Sequence, residues 1–338
     1  MGDTYADEVV KALFEQGFNP LRDDAYTQYQ FNHQAIPTAF PTVLQKYFET
    51  LKATKLDRAV IEKGSEFFMA NAQPIMLCLG LLSLPYCYGA ADGAKVLVFS
   101  KRIMEQPEKR LMETAEFVLD VTASDAFEPK GKGFVSIGKV RLMHAAIRYH
   151  LLNSDKWNMD WGYPVNQKDM AGTNYSFSLI VIRGLRKLGY NISTEVAEIY
   201  IKYWNEIGKI LGLEAEMRPE TNKEAFILEQ KIRGAEFRSS SEGKALTASL
   251  MHYIDAQETP LPVKGSDLAG YLLGSELAEM LAINTSTEAS LEKPVKLIGK
   301  LQSRFGNKNF NDFLLQFRRR QGTDKHDSRF NFLLSLTA

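Results

Sequence analysis

A histidine flanked by two arginines stands in the stretch of the chain with the clearest chemical potential, residues 139–150. Arg141, His144 and Arg148 have the spacing i, i+3 and i+7, which predicts a common helix face. Nearly all other positions of the stretch are apolar, which is typical of a buried helix. Buried guanidinium groups require an anion. A neutral imidazole with two cations beside it suits a haem, since the iron takes a histidine ligand and the propionates take positive charge.

A more ordinary interpretation of the same stretch competes with the haem site. A single helical histidine is often a hydrogen-bonded core group, because imidazole has many ordinary uses as a donor or acceptor. Arg141 and Arg148 would then pair with carboxylates from neighbouring helices. Both interpretations stay open on this stretch alone.

Composition excludes several classes of function. The chain has 338 residues, enough for one large domain or two ordinary ones. Lysine plus arginine and aspartate plus glutamate number 41 each, so the formal net charge is zero. A neutral chain argues against a nucleic-acid groove or a polybasic membrane anchor, and we expect no nucleic-acid partner. The one dense basic run, residues 318–320, is predicted to be a solvated helix end.

The cysteines and the apolar segments indicate a cytoplasmic protein. Cys78 and Cys87 lie in apolar surroundings without a Cys-x-x-Cys pair, so we predict buried free thiols of a reducing compartment. The first ten residues are acidic and lack the apolar core of a secretory signal. The longest apolar run, residues 74–91, contains Pro85 and is predicted to be a buried helix followed by a turn, not a transmembrane segment.

Helical periodicity runs through most of the chain. The 3.6-residue pattern predicts helices over residues 8–16, 41–53, 57–70, 108–121 and 193–211. The best strand signal, residues 95–99, is weak and has flanks that also fit a helix. Loops or turns are predicted at residues 131–134, 157–172 and 238–242. We therefore expect an all-α, single large domain, with peripheral helices after about residue 220.

Motifs for other chemistries are missing from the sequence. It has no Walker loop, no Gly-x-Gly-x-x-Gly and no Gly-x-Ser-x-Gly nucleophile elbow. The remaining histidines form no recognisable metal-binding pattern, so a zinc or di-iron site has little support. They are His33, His150, His252 and His326.

We call residues 139–150 the histidine block. Three further sequence motifs occur around it in a recognisable order. Arg110-Leu-Met-Glu-Thr114 precedes it, Gly162-Tyr-Pro-Val-Asn-Gln-Lys-Asp169 follows it, and Trp204-Asn-Glu-Ile-Gly208 comes later. In this order and spacing the chain resembles the family of latex-clearing protein and MpaB-type oxygenases. The resemblance covers about residues 55–290, and the Arg-x-x-His-x-x-x-Arg block is its most specific element.

This resemblance implies an all-helical haem b protein with a globin-like core that cleaves carbon–carbon double bonds of isoprenoid chains with dioxygen. By position, His144 would be the iron ligand, and Arg141 and Arg148 would hold the haem propionates. Arg110 and Thr114, four residues apart on a preceding helix, would face the distal pocket as catalytic residues. The expected partners are a hydrophobic, possibly isoprenoid, small molecule and dioxygen.

The resemblance also suggests a domain layout. Residues 1–54 would be an N-terminal helical extension and residues 55–290 the haem-binding core. Residues 291–338 would be a C-terminal helical extension packed on the same domain.

The chain departs from the rubber-cleaving pattern at two positions. Glu113 replaces a lysine next to the threonine, and the stretch that offers a glutamate base in that pattern has only Asp92 here. Phe177 and Trp161 are predicted to line a hydrophobic channel. The ordinary interpretation of Arg110 is an exposed partner of Glu113 or Glu116.

Three alternatives to an oxygenase stay open at this point. A haem peroxidase or peroxygenase would use Arg110 to assist O–O cleavage. A non-catalytic haem carrier or sensor would have six-coordinate iron. A helical interaction module would bind no cofactor at all.

Overall fold

All regular secondary structure in the described part of the chain is helical. The computed structural model describes residues 1–20, 23–99, 107–256 and 263–283. Within these ranges the only β-type contact is one isolated antiparallel bridge between Ala90 and Phe237. The α-helices are α1 (Thr4–Glu15), α2 (Asp24–Gln28), α3 (Thr42–Lys52), α4 (Arg58–Ala70), α5 (Ala72–Cys78), α6 (Leu84–Tyr88), α7 (Ala91–Phe99), α8 (Pro107–Thr122), α9 (Gly133–Leu152), α10 (Gln167–Phe177), α11 (Leu179–Lys187), α12 (Thr194–Ile210), α13 (Asn222–Glu236), α14 (Ser241–Asp255), α15 (Gly265–Leu273) and α16 (Ser275–Met280).

Side-chain caps set the beginnings of several helices. Asp57 accepts hydrogen bonds from the amides of Ala59 and Val60 at the start of α4, and Ser193 accepts from Val196 at the start of α12. The five helices predicted from periodicity are confirmed as α1, α3, α4, α8 and α12. Helix α1 begins four residues earlier than predicted because Asp3 caps it.

Helix α9 lies at the centre of the fold. It is 20 residues long, and most of its side chains are buried. Helices α1, α3, α8 and α12 pack around it. The prediction that the histidine block lies on a buried helix is therefore confirmed.

The long apolar segment is a largely buried helical stretch. A π-helical turn, Leu79–Ser83, joins α5 to α6, and Pro85 follows it. No single helix of the described residues is long and apolar enough to cross a membrane. Helix α4 together with Ala72–Tyr88 reaches the required length and apolarity, but the two parts are bent by 85°.

Two predicted elements differ in the structure. Residues 95–99 belong to α7, so the strand alternative is wrong there; a short apolar run fits either element. Residues 167–172, predicted as loop, form the first turns of α10. Asn166 and Asp169 make a reciprocal capping box at its start.

The N-terminal helices share the main apolar core with the centre of the molecule. Ala6, Val9 and Leu13 of α1 belong to the same buried cluster as Leu142 of α9. Helix α13 packs on α10 through Ala225 and other residues of a second cluster, and four of its fifteen residues are buried. The predicted C-terminal extension and its basic run lie outside the described residues.

Candidate functional site

A largely apolar cavity of about 250 Å³ lies against α9. Its wall is formed by parts of α6, α7, α8, α9, α10, α12 and α13. Its main apolar lining residues are Leu84, Tyr88, Val96, Leu97, Phe117, Val140, Met143, Ile147, Val165, Met170, Phe177, Trp204, Leu211, Leu213, Ile232 and Phe237. Such a concave, apolar site with few polar groups is typical of small-molecule and cofactor binding.

His144 lies on this wall. Helix α9 presents it to the cavity together with Val140, Met143 and Ile147. Among the described lining residues it is the one histidine. The predicted iron ligand is therefore placed where an enclosed apolar ligand would meet it.

Arg141 points to the N-terminal helix. Its Nε and Nη2 atoms donate to the two carboxylate oxygens of Asp3, at 2.5 and 2.8 Å, and Nη1 donates to the Ile210 carbonyl at 3.0 Å. This is a two-point guanidinium–carboxylate pair. Arg141 is not among the residues that line the cavity.

Arg148 is buried against the same helix. Its Nε donates to Asp7 at 2.6 Å, and its Nη1 donates to the Val165 carbonyl at 3.0 Å. Its Nη2 is buried and makes no hydrogen bond in the described part of the chain. Arg148, like Arg141, does not line the cavity.

The histidine and the arginines therefore contact different neighbours: His144 lines the cavity, and the arginines pair with Asp3 and Asp7. At about 100° per residue, His144 lies about 60° around the helix axis from Arg141. This rotation is enough for the two side chains to contact different neighbouring elements. The carboxylates of α1 supply the anions that the buried arginines require. Whether Arg141 and Arg148 also hold haem propionates stays a prediction.

Helix α8 brings the predicted distal residue Thr114 to the cavity wall. Glu113 beside it is buried and also lines the cavity. The side chain of Arg110 lies outside the described residues; its backbone belongs to α8.

Asp92 does not reach the cavity. It pairs with Lys95 at 3.0 Å and with Arg238. Burial raises the pKa of Asp92, but hydrogen bonds from Arg238 and Lys95 outweigh it, and the net pKa is lowered. The structure therefore gives no support to Asp92 as a base for chemistry in the cavity.

The two predicted channel aromatics separate in the structure. Phe177 lines the cavity and stacks on Trp204 with ring centroids 5.0 Å apart. Trp161 packs on Trp157 and Phe99 and is not among the lining residues.

Helix α10 contributes polar side chains that the sequence reasoning missed. The Asp169 carboxylate accepts a hydrogen bond from the Asn166 amide at 3.0 Å, and burial raises its pKa to about 7. Asn174 is buried, and neither its Oδ1 nor its Nδ2 has a hydrogen-bond partner in the described part of the chain. Both line the cavity. The Asn-x-x-Asp capping pattern at residues 166–169 was the sequence signal for this helix.

A polar cluster closes the α13 side of the cavity. Glu229 accepts hydrogen bonds from the Tyr86 hydroxyl and from Arg183 at 2.8 Å. Burial raises the pKa of Glu229, but the bonds from Arg183 and Tyr86 outweigh it and lower the pKa overall. The Glu229 carboxylate is thus held in its charged form. Lys168 pairs with Glu236.

Both cysteines are free thiols, as predicted, but of the two only Cys78 is fully buried. Burial raises the pKa of Cys78 to about 12. Cys87 lines the cavity, with its Sγ 3.1 Å from the Ser176 hydroxyl.

The wall of the cavity fits the apolar and iron-ligating parts of a haem. No group of three or more histidine, cysteine, aspartate and glutamate side chains in the described ranges is arranged to hold a metal ion. A haem requires one imidazole and an apolar enclosure. His144 and the walls around it supply both.

Comparisons with known proteins agree with this architecture. The family model described as ER-bound oxygenase mpaB/B'/Rubber oxygenase, catalytic domain, matches residues 66–299. A protein named Rubber oxygenase from Streptomyces sp. (strain K30) is 26% identical over 288 residues, which are 83% of this chain and 70% of that protein.

A solved structure shows the same fold. It is described as latex clearing protein LCP in the closed state, and it superposes with a TM-score of 0.79 at 23% identity. The superposition covers 99% of this chain and 90% of the other. The family match over most of the chain leads to one conclusion: the protein belongs to the mpaB/B'/rubber oxygenase catalytic-domain family.

Proposed function

We propose that this protein is a haem b-dependent oxygenase that acts on an apolar, isoprenoid-type substrate with dioxygen. One observation carries the proposal: in a chain of an oxygenase family, His144 lies on the wall of a largely apolar cavity. A neutral imidazole there is a suitable haem ligand.

A few residues of the cavity and of α8 carry specific parts in this proposal. His144 would hold the iron, and a bound haem would supply the activation of dioxygen. The apolar walls bind the hydrocarbon part of the substrate and exclude water. Thr114 adds a hydroxyl to the wall, and Arg110 joins it as a catalytic residue because it lies one helical turn earlier on α8.

The arginines of α9 have a positioning part. By pairing with Asp3 and Asp7, Arg141 and Arg148 fix α9 against α1. This sets the rotation of α9 about its axis and therefore the direction in which His144 faces.

The names of the relatives support the substrate class. One relative is named for rubber, which is a polymer of isoprene, and the other for latex, the dispersion that contains rubber. The apolar cavity supports the same chemistry here, since it offers mainly dispersion contacts and desolvation to a ligand.

The proposal is tested by His144→Ala with His150→Ala as the matched control. His150 lies on the same helix, is half-buried and does not line the cavity. We expect wild type and His150→Ala to bind one haem per chain, measured by the pyridine haemochrome spectrum after reconstitution. We expect His144→Ala to lose stoichiometric binding while keeping its helical circular dichroism.

The oxidant that turnover requires distinguishes the proposed oxygenase from a haem peroxygenase, and turnover itself distinguishes it from a non-catalytic haem carrier. The reconstituted protein is expected to consume dioxygen with an isoprenoid oligomer without added peroxide. Full haem binding with an unchanged spectrum in His144→Ala would refute the ligand assignment. Turnover that requires added peroxide would show that the protein is a peroxygenase and not an oxygenase.

A further inference from the structure

One tyrosine of the cavity wall donates its hydroxyl proton to a carboxylate. The Tyr86 hydroxyl donates to the Oε1 atom of Glu229, and both residues line the cavity. They are buried, with 6% and 2% of their surface exposed. A hydrogen bond from a hydroxyl to a carboxylate is charge-assisted and stronger than a bond to a neutral acceptor. The phenolic proton of Tyr86 is thus directed at a base.

The neighbours of Glu229 keep it in the form that can act as this base. Arg183 and Gln230 donate to its other oxygen, Oε2, at 2.8 and 2.9 Å. Burial opposes the charged form, but the hydrogen bonds outweigh it and lower the pKa of Glu229. Burial and the Glu229 charge raise the pKa of Tyr86. The resting pair is therefore a neutral phenol beside a carboxylate.

Other aromatic residues near the cavity lack this arrangement. Tyr175, which also lines the cavity, donates to a backbone carbonyl at 2.7 Å, and the buried Tyr203 does so at 2.9 Å. A carbonyl oxygen accepts a hydrogen bond but is too weak a base to take the proton of a phenol. Trp204 lines the cavity as well, but no carboxylate within the described residues accepts from its indole Nε1.

A base beside a phenol makes the phenol easier to oxidise. The loss of an electron alone would leave a cation on the buried ring, which is costly in apolar surroundings. If Glu229 takes the proton at the same time, the ring becomes a neutral radical and the carboxylate a neutral acid. Arg183, which then loses its anion, has 33% of its side chain exposed and can be hydrated.

We propose that Tyr86 is a redox-active residue, which protects the cavity by giving one electron to a haem that hydrogen peroxide has oxidised. In this step the O–H bond of Tyr86 breaks and an O–H bond forms at Oε1 of Glu229. Tyr86 is oxidised to a neutral phenoxyl radical, and the haem is reduced by one electron. The inference rests on the haem of the proposed function, since His144 and Tyr86 line the same cavity.

Electron paramagnetic resonance of two tyrosine variants tests the electron donor. Tyr86→Phe removes the hydroxyl and keeps the ring. Tyr175→Phe is the matched control, because it removes a cavity-lining hydroxyl that donates to a carbonyl. Each protein is loaded with haem, mixed with hydrogen peroxide without substrate, and frozen. We expect a tyrosyl radical in wild type and Tyr175→Phe and its loss in Tyr86→Phe. Ring-deuterated tyrosine should narrow the signal.

Glu229→Gln tests the base. The amide oxygen of glutamine can still accept from the Tyr86 hydroxyl, but it cannot hold the proton. We expect the radical to be lost although the phenol remains. Haem content and helical circular dichroism verify that the variant is folded. Radical formation in D2O supplies a measurement that does not depend on this variant: it should be slower than in H2O, because the proton moves with the electron.

Survival of the haem tests the protective role. The haem absorption band should bleach faster under hydrogen peroxide in Tyr86→Phe and Glu229→Gln than in wild type and Tyr175→Phe. Equal bleaching in all four proteins would refute this role.

The remaining outcomes separate this inference from the proposed function. A radical that persists in Tyr86→Phe would place the donor elsewhere, for example at Trp204, and would overturn the inference. So would a full yield in Glu229→Gln with equal rates in H2O and D2O, or no radical in haem-loaded wild type that consumes dioxygen with an isoprenoid. A Tyr86 radical in a protein without such dioxygen consumption would retain the inference and refute the proposed function. A protein that takes up no haem would refute both.

Discussion

At the scale of single residues, the histidine block of α9 (residues 139–150) makes two kinds of contact. His144 faces the cavity, whereas Arg148 and Arg141 bind carboxylates of α1. A residue spacing of three or four suggests a common face, but a helix at the centre of a fold has several neighbours within a small rotation. The imidazole lies at the apolar cavity and the guanidinium groups lie at carboxylates, so the chemistry of each side chain matches the neighbouring element that it contacts.

Asp169 gives a pH prediction at this scale. Its pKa rises from 3.8 to about 7 on folding, chiefly through desolvation. Between these values the native state holds a proton that the unfolded chain releases, so this residue's contribution to stability declines as pH rises through the window. We expect Asp169→Asn, which keeps an oxygen for the Asn166 amide, to abolish this decline.

The measurement is the Tm of wild type and Asp169→Asn between pH 5 and pH 8. The variant should gain on wild type as pH increases. Asp92→Asn serves as the control, because the lowered pKa of Asp92 gives stability that is lost only as pH falls. A Tm difference for Asp169→Asn that does not change with pH would contradict the prediction.

At the scale of elements, a glycine sets the distance between α4 and α12. A Cβ at Gly64 would lie 2.2 Å from the Cγ of Tyr203, well inside any possible contact. Tyr203 is fully buried, and its hydroxyl donates to the Val121 carbonyl at 2.9 Å, so its ring is held in place. The two helices pack closely because this position has no side chain.

Gly64→Ala is therefore expected to lower the free energy of unfolding by about 2–3 kcal/mol through overpacking. Gly234→Ala on α13 is the matched control. No atom lies within 4 Å of a Cβ there, so alanine should stabilise the helix by about 0.5–1 kcal/mol. Urea denaturation measures both, and equal signs for the two substitutions would contradict the packing argument.

At the scale of the whole molecule, the N-terminal helix is part of the body that holds the cavity. Arg148 has 1% of its side chain exposed and has the Asp7 carboxylate as its ion-pair partner. Burial raises the pKa of Asp7 more than Arg148 lowers it. Holding the Asp7 carboxylate in this position therefore costs desolvation free energy. Its removal leaves the buried Arg148 guanidinium without its anion.

Asp7→Ala is expected to lower the free energy of unfolding by about 2–3 kcal/mol, and Arg148→Met by less, since Asp7 is partly hydrated without its partner. Lys11→Ala on the same helix breaks only the exposed pair with Glu15 and should change stability by less than about 0.5 kcal/mol. Guanidinium unfolding followed by circular dichroism tests this. A larger loss in Arg148→Met than in Asp7→Ala would be inconsistent with it.

The sequence by itself determined the helical class, five helices, the burial of α9 and the family. These follow from local patterns: apolar side chains at helical spacing, polar caps such as Asp57 and Ser193, and motifs in a fixed order. It also identified His144, because a histidine in an apolar stretch is conspicuous without any knowledge of its neighbours.

Only the tertiary structure decided which groups meet. Asp3 and Asp7 lie more than 130 residues before the arginines that they neutralise, and no local pattern links them. The sequence left Asp92 as a candidate base, but in the structure its carboxylate pairs with Arg238. Asn174 and Asp169 became site residues because α12 and α7 close the space in front of α10. Pairing and enclosure depend on how helices distant in sequence pack, since charge and polarity are satisfied in space and not along the chain.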